Sequence, residues 1–391
     1  MKFRTTLFSI FALLAIALFT QPALANQLLV DVDKVACPAA AYTSIQAAVN
    51  AASPGDHIRV CPGTYVEQVV IQKSLTLHAE SGAILMPSAL QQNTTSLFDG
   101  SPLAVALLVA NATDVTISGL IVDGTNSGIS ACSPDFFGIA YQNASGTVRH
   151  TTVRNFKLGT ALNGCQTGTG IFVQSGGGQI STVSIDSTSI HDFQKNGITA
   201  NEVGTQVLIR GNVVTGLGPT TGAAQNGIQV GFGATGAING NIVTNTIWSP
   251  CTAVATCAAV ATNILVDQSD GVTVSNNSVS VSQVGIFVDA NSAELSNNQS
   301  TANSVFDGIR LEGNSNRAGR NTVFNASESG IFLDGNNNVV RDNTITEASI
   351  GILKTTTSSG NLISANDIFD CPITIQDPNA HNISKLLSPQ R

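Results

Sequence analysis

Four acidic residues recur at a nearly constant interval in the last third of the chain. Asp267, Asp289, Glu312 and Asp334 are separated by 22, 23 and 22 residues, and each directly follows a short apolar segment. If that interval brings them together in space, their oxygens could hold a cation such as Ca²⁺. A pair of such carboxylates could also act as acid and base in glycoside hydrolysis.

One basic and two aromatic residues lie within the apolar segments that precede these acids. Arg310 precedes Glu312 by two residues, and Phe287 and Phe332 hold the equivalent position one interval earlier and one later. With a bound Ca²⁺, Arg310 could support proton abstraction next to a uronate carboxylate, and the Phe rings could face sugars. The candidate residues are Phe287, Asp289, Arg310, Glu312 and Phe332 for substrate binding, Arg310, Glu312 and Asp334 for catalysis, and Asp267, Asp289, Glu312 and Asp334 for Ca²⁺.

The same residues also have a purely structural interpretation. Each acid opens a turn-like segment, namely DQSDG, DANSA, EGNSN or DGNNN, and Asp, Asn and Gly favour tight turns with or without a ligand. Exposed acids also keep a repetitive sheet soluble and block lateral association. The Phe rings could equally be covered by inserted loops.

The elements that would position these residues repeat along most of the chain. A pattern of Gly, Ile, any residue and usually Val or Leu (GIxV) begins at residues 138, 170, 197, 227, 263, 285, 308, 330 and 351, with Asn replacing Gly at 263. The last four intervals are 22, 23, 22 and 21 residues, and a fixed period in this range is typical of a solenoid. Longer early intervals indicate inserted loops, and the sequence leaves open whether residues 125–137, 156–169 and 249–262 form the walls of a groove.

A second repeat within each period is an Asn between two short segments of alternating side chains. These residues are Asn212, Asn277, Asn298, Asn321, Asn343 and Asn366. Each period therefore predicts three short strands and no helix. Successive periods must coil, so that each strand pairs with its equivalent about 4.8 Å away. Stacked Asn side chains would bridge the coils and accept left-handed turn geometry.

The coil of this length, the Asn repeat and the GIxV segment together resemble the right-handed parallel β-helix of the pectin-lyase superfamily. The resemblance covers residues 42–375 and implies an all-β solenoid of about a dozen three-strand coils. It implies no single activity, because this fold carries lyases, hydrolases, esterases, epimerases and binding proteins. The run GTYVE and the residues Asp135-Phe136-Phe137-Gly138 are similar to parts of pectin methylesterases, but the later Gly-Arg-Pro-Trp run of that family is absent. Motifs of polygalacturonases, alginate epimerases and pectate lyases are also absent.

A helix predicted over residues 43–52 would cover the open N-terminal end of the solenoid. Thr43 is expected to cap this helix, with Gln46 completing a capping box. The segment GTYVE follows in the first coil, and we interpret its Glu67 as a turn or surface residue. The apolar residues that fall on one face of the helix are Ile45, Ala48, Val49 and Ala52.

The N-terminus and the cysteines indicate export. Residues 1–25 have a basic start, an apolar run and a small-residue end, which predicts a signal peptide before a β-helix domain at 26–391 with regular coils over 263–375. Seven cysteines in an exported protein suggest disulfides. Pairing of chain neighbours, which spacing alone does not establish, would join Cys37 to Cys61, Cys132 to Cys165 and Cys251 to Cys257, and leave Cys371 free. Trp248 would pack under the loop closed by the last pair.

Composition narrows the range of partners. The net charge of −8 argues against nucleic acid and anionic lipid. Five scattered His and two Met do not favour a copper role like that suggested for other periplasmic β-helix proteins. The leading hypothesis is a secreted or periplasmic monomer that binds polysaccharide or surface glycan on its outer GIxV face. The alternatives are a lyase or glycoside hydrolase acting on acidic polysaccharide, and a structural surface protein or adhesin without catalysis.

Overall fold

The chain winds into a right-handed parallel β-helix, which confirms the fold predicted from the repeats. The computed structural model describes residues 25–377. The predicted signal peptide, apart from its last residue, lies outside the described residues. Three ladders of parallel strands run along the solenoid, and pairing is continuous from Gln27 to Gln376. No helix in the described part of the chain has the length and apolar character of a membrane span.

The first ladder is a separate sheet of 13 strands. Its strands are Gln27–Val30, His57–Val60, Leu75–Ala79, Val115–Ser118, Gly146–Arg149, Ser181–Asp186, Thr205–Arg210, Thr235–Asn239, Thr273–Ser275, Glu294–Ser296, Arg317–Gly319, Val339–Arg341 and Leu362–Ser364.

The second ladder follows the Asn turns. Its strands are Gly63–Tyr65, Ala83–Leu85, Ile121–Asp123, Thr152–Arg154, Ser189–His191, Val213–Thr220, Ile242–Trp248, Ser278–Ser282, Gln299–Asn303, the first halves of Thr322–Asp334 and Thr344–Lys354, and Asp367–Phe369.

The third ladder, called here the GIxV sheet, contains the repeated GIxV segments. Its strands are Val69–Ile71, Pro102–Ala110, Asp135–Gln142, Thr169–Gln174, Asn196–Asn201, Asn226–Gly231, Thr262–Asp267, Val284–Asp289, Ile309–Glu312, the second halves of Thr322–Asp334 and Thr344–Lys354, and Ile373–Gln376. The short strand Thr94–Thr95 pairs antiparallel with Pro102–Ala110. Two single turns of 3₁₀-helix lie at Thr160–Leu162 and Val254–Thr256.

The recurring Gly of the GIxV pattern lies where the coil bends from the second ladder to the GIxV sheet. A Cβ added to Gly308 would lie 2.2 Å from a methyl group of Val323 and 2.9 Å from the carbonyl oxygen of Gly330. At Gly330 the corresponding atoms are a methyl group of Ile345 at 2.3 Å and the Gly351 oxygen at 2.8 Å. No side chain fits at this bend, and the repeat therefore requires Gly at this position.

The predicted Asn repeat forms a buried ladder of side-chain amides. Each Asn side chain donates from Nδ2 to the Oδ1 of the next coil's Asn over 2.9 to 3.0 Å. Asn241 belongs to this ladder, between Asn212 and Asn277, and the sequence pattern missed it. The left-handed residue of each turn is the one before the ladder Asn, as at Asn297 with φ 54°. The Asn itself is needed for its amide rather than for its backbone.

The N-terminal helix spans Ile45–Ala51 and differs from its prediction in how it is capped. Ser44, not Thr43, is the N-cap residue, and its hydroxyl accepts from Ala47 N. Glu67 is not a simple turn or surface residue, because its carboxylate accepts from Ile45 N at 2.7 Å, Gln46 N at 2.9 Å and the Ser44 hydroxyl at 3.0 Å. An anion at a helix N-terminus satisfies free N–H groups and complements the helix dipole.

The cysteines pair as neighbours along the chain, as predicted. Disulfides join Cys37 to Cys61, Cys132 to Cys165 and Cys251 to Cys257, and Cys371 is free. The second disulfide links the inserted loops at 125–137 and 156–169. The third closes the loop at 249–262, and Trp248 packs against the apolar cluster beside it.

Candidate functional site

A cleft of about 550 Å³ lies on the outer face of the GIxV sheet, in its N-terminal half. Residues 96–101 line it from a loop, and the inserted loop at 156–169 contributes Gln166 and Thr167. The strands beneath it are Pro102–Ala110, Asp135–Gln142, Thr169–Gln174, Asn196–Asn201, Asn226–Gly231 and Thr262–Asp267.

Aromatic rings form the apolar part of the cleft. Phe137 and Phe172 stack with ring centroids 4.8 Å apart, and each is only 7% exposed. They belong to a small apolar cluster on the outer face of the sheet, separate from the main core. Phe98 and Phe232 line the same cleft but are 76% and 41% exposed. Two large rings in contact with water beside a cleft are available to a ligand.

Two glutamines hold the loop that borders the cleft, and they occupy the strand-end position that Asp267 occupies in a later coil. The Gln174 Oε1 accepts from Leu97 N over 2.9 Å. The Gln142 Oε1 accepts from the Thr94 hydroxyl over 2.6 Å, and its Nε2 donates to the Thr95 carbonyl over 3.0 Å. The strand-end position that carries the predicted acids in later coils therefore anchors a loop in these two coils.

Buried amides form the polar part of the cleft floor. Gln229 Oε1 accepts from the Nδ2 atoms of both Asn196 and Asn226 at 3.1 Å, and its Nε2 donates to Asn201 Oδ1 at 3.1 Å. Asn196, Asn226 and Gln229 are each more than nine-tenths buried and line the cleft. Hydrogen bonding within the network gives these amides fixed orientations before any ligand arrives.

Three carboxylates with different environments lie around one end of the cleft. Burial raises the pKa of Asp135 and that of Glu202, and the charge of Asp99 raises both further. The pKa of Asp99 itself is lowered, chiefly by the hydrogen bond from Ser101 N. The cleft therefore combines one readily ionised carboxylate with two that hold their protons more firmly.

One basic side chain lines the cleft. The ammonium group of Lys195 donates to the Ala224 carbonyl over 2.7 Å. Burial lowers the pKa of Lys195 to about 8. Among residues 25–377, no ion pair joins Lys195 to any of the cleft carboxylates.

The predicted acidic column exists as a row of neighbouring strand positions. Asp267 pairs with Asp289, Asp289 with Glu312, and Glu312 with Asp334. Only Asp267 reaches the cleft, and its pKa is raised by burial and by Asp289. Asp334 accepts from the hydroxyls of Thr355 and Thr357. No three carboxylates of this row bring oxygens within 4.8 Å of one another, so the row is not a preformed Ca²⁺ cage.

Arg310 is engaged within the protein. Its Nη1 donates to Asp307 at 2.9 Å and its Nε to Glu312 at 2.6 Å. Its guanidinium carbon lies 3.8 Å from the centroid of Phe332, which it covers. Phe287 packs against the apolar cluster under the 249–262 loop. These predicted binding residues therefore lie outside the cleft, and their polar and aromatic groups contact one another.

Several cleft residues were not among the predicted site residues. Asp99 and Phe98 lie in a loop outside the repeat. Lys195 and Glu202 flank a GIxV strand, and no other coil has a Lys at the first position or an acid at the second. Phe172 could have been found, because it occupies the same strand position as Phe287 and Phe332.

Solved structures of other proteins share this fold. The GH136 lacto-N-biosidase from Eubacterium ramulus is similar with a TM-score of 0.62 at 11% identity, over 88% of this chain and 68% of that chain. The Dettilon tailspike protein is similar with a TM-score of 0.57 at 15% identity, over 83% of this chain and 62% of that chain. The A-module of mannuronan C-5 epimerase from Azotobacter vinelandii is similar with a TM-score of 0.52 at 14% identity, over 85% of this chain and 92% of that chain. At such identities the likeness shows the fold alone.

Sequence comparison identifies the family. No curated protein is significantly similar to the chain in sequence. The family model described as periplasmic copper-binding protein (NosD) matches residues 179–383, which is more than half of the chain. A periplasmic family and three disulfides agree with the predicted location, secreted or periplasmic. The chain belongs to the NosD family and has the pectin-lyase-like parallel β-helix fold that its repeats predict.

Proposed function

We propose that the protein binds a glycan chain in the cleft of the GIxV sheet. The observation that carries this proposal is the combination of exposed Phe98 and Phe232 with a floor of pre-oriented amides in one cleft. A sugar presents apolar C–H faces and a rim of hydroxyls, so it needs an aromatic surface together with fixed hydrogen-bonding groups. Two proteins of similar structure are consistent with this proposal, since they are named a lacto-N-biosidase and a mannuronan C-5 epimerase.

The predicted residues near Arg310 are a less favourable place for this ligand. Binding there would require Arg310 to leave Phe332 and two carboxylates. The C-terminal part of the acidic row is therefore proposed as a continuation of the binding face rather than its centre.

The family description names copper, but the described residues of this chain do not fit a copper site. The only group of three His, Cys, Asp or Glu ligand atoms within 4.8 Å of one another in residues 25–377 is Cys37, Cys61 and Glu80. The two cysteines of that group form a disulfide, so neither offers a thiolate. His191 instead contacts Asp192, and His78 contacts Ser118. The proposed glycan binding therefore does not rest on a copper site.

A second candidate function, glycoside hydrolysis in the same cleft, is favoured by one observation. Asp99 has a lowered pKa while Asp135 and Glu202 have raised ones, which is the division between base and acid that hydrolysis requires. A lyase acting on polyuronate is less favoured, because the one arginine on the GIxV face is held by Asp307 and Glu312. Release of reducing ends from a bound glycan, lost in Asp135→Asn, would select the hydrolase.

A glycan array with and without Ca²⁺, followed by calorimetry on the best ligand, tests the proposed binding. Phe98→Ala and Phe232→Ala should each weaken binding about tenfold, since a lost stacking contact costs roughly 1–1.5 kcal/mol. Phe324→Ala is the matched control, because Phe324 is 42% exposed but lies on the second ladder. Absence of binding to every glycan would favour the structural protein or adhesin instead.

A further inference from the structure

The cleft has an excess of negative charge that no protein cation balances. Asp99, Asp135, Glu202 and Asp267 line it, against the single ammonium group of Lys195. Among residues 25–377, none of these four carboxylates forms an ion pair with Lys, Arg or His. This contrasts with Glu312, which lies on the same sheet and pairs with Arg310.

The uncompensated charges oppose one another within the cleft. The charge of Asp99 disfavours ionisation of Asp135 and Glu202, and the charge of Asp289 disfavours ionisation of Asp267, in each case adding to the effect of burial. A cation bound among these groups would remove the repulsion, whereas an anionic ligand would increase it. A polyuronate is therefore a poor match for this cleft.

The spacing of the carboxylates distinguishes between kinds of cation. A Ca²⁺ ion needs six to eight oxygens around one point, and no three carboxylates in residues 25–377 converge within 4.8 Å. An ammonium group needs only one carboxylate and neighbouring acceptors, and several of them along a chain can each find a separate partner. The aromatic rings and amides already suit the sugar to which such an ammonium would be attached.

We propose that the glycan bound in this cleft is cationic, built from amino sugars with free ammonium groups of the glucosamine type. This inference rests on the proposed glycan binding and specifies its ligand class. The exposed Phe98 and Phe232 would contact sugar faces, while Asp99, Asp135 and Glu202 would each accept from an ammonium group. The N-acetylated form of the same sugar, which is neutral, would lose those charge-assisted hydrogen bonds.

Calorimetry with three hexasaccharides tests the inference on the full exported chain. The probes are the β-1,4-linked hexamer of glucosamine, its fully N-acetylated counterpart and hexagalacturonate, each at pH 6 and at about 50 mM and about 500 mM NaCl. We expect the glucosamine hexamer to bind at least about tenfold more tightly than the N-acetylated one at low salt. High salt should remove most of that preference, because partly exposed charges are screened.

Two variants and one control locate the effect. Asp99→Asn, on an exposed loop, and Glu202→Gln should each reduce the preference for the glucosamine hexamer by about fivefold or more. Glu294→Gln, an exposed acid on the first sheet, should leave the preference unchanged. Thermal melting of each variant verifies that it is folded.

The possible failures are distinguishable. If the glucosamine hexamer and its neutral N-acetylated counterpart bind equally well, the proposal of a cationic ligand is wrong, although glycan binding itself still holds. Tighter binding of hexagalacturonate would have the same consequence. A preference that survives in both Asp99→Asn and Glu202→Gln would also overturn it. If no hexasaccharide binds and the array is negative as well, the proposed function itself fails.

Discussion

Arg310 and Asp307 form an ion pair of 2.9 Å in which the carboxylate is fully buried and the guanidinium group also covers the ring of Phe332. Ser329 adds a hydroxyl and a backbone N–H to the same carboxylate. The ion pair lies within one coil. It contacts the next coil of the GIxV sheet through Ser329 and through Phe332, which occupies the strand position equivalent to Arg310. Arg310, which the sequence suggests as a binding residue, therefore also supports the sheet from within.

Arg310→Ala is expected to destabilise the protein by about 2–4 kcal/mol, because it leaves a buried carboxylate without its cation. Chemical denaturation measures the change in the free energy of unfolding. Arg341→Ala is the control, because Arg341 is exposed and its Nε forms a long ion pair of 3.8 Å with Asp342. This substitution should lower the free energy of unfolding by less than about 1 kcal/mol. The double variant with Asp307→Asn should recover part of the loss. Equal costs for the two arginine variants would contradict a structural role for the pair.

The buried Asp307 should also make stability depend on pH. Burial raises its pKa to about 6, with a smaller contribution from Glu328 and opposing contributions from Ser329 and Arg310. Because the folded state holds this proton more firmly than the unfolded state, the contribution of Asp307 to stability falls as pH rises from about 4 to about 6. Relative to Asp307→Asn, the natural protein should lose up to about 3 kcal/mol across that window. A constant difference between the two proteins from pH 4 to pH 7 would refute the raised pKa.

The repeat allowed much of the fold to be predicted, for a physical reason. In a parallel coil, residues one period apart become neighbours, so a pattern along the chain is also a pattern in space. The pairing of Asp289 with Glu312 and of Phe287 with Arg310 follows directly from that rule. Neighbouring positions, however, do not determine where a side chain points or what covers it. The contacts of Arg310 with other side chains could therefore not be predicted from the repeat period.

The cleft could not be predicted, because its key contacts join parts of the chain that do not repeat. Leu97 meets Gln174 across 77 residues, and the loop that contains Leu97 has no equivalent in later coils. Glu67 is a similar case, since local sequence suggests a turn while its carboxylate caps a helix more than 20 residues earlier. Such contacts depend on the assembled coil rather than on local pattern or period.

Lys195 should give the protein a second pH dependence, of opposite sign. Burial lowers its pKa to about 8, well below the value for an unfolded chain, so the unfolded state binds this proton more firmly. Stability should therefore rise as pH increases from about 8 to about 10, by up to about 2–3 kcal/mol. Lys195→Met should show a flatter profile over the same range when both proteins are unfolded with denaturant in parallel. Identical slopes for the two proteins would exclude a lowered pKa for Lys195.

The Asn ladder should contribute most to stability in the middle of the solenoid. Asn298 donates to the Val274 carbonyl and to Asn321 Oδ1, and its own Oδ1 accepts from both the backbone and the side chain of Asn277. Asn298→Ala would leave these buried partners unsatisfied, so we expect a loss of about 2–4 kcal/mol.

Asn366→Ala is the matched control for that prediction. Asn366 makes the same kind of contacts with Asn343 and Val340, but it is the last rung described and is only partly buried. Water can replace its hydrogen bonds, so its loss should cost about 1 kcal/mol or less. Denaturation of the two variants side by side measures the difference. If Asn366→Ala proves as costly as Asn298→Ala, burial of the amides is not what makes the ladder stabilising, and the contacts between coils would have to be explained by backbone pairing alone.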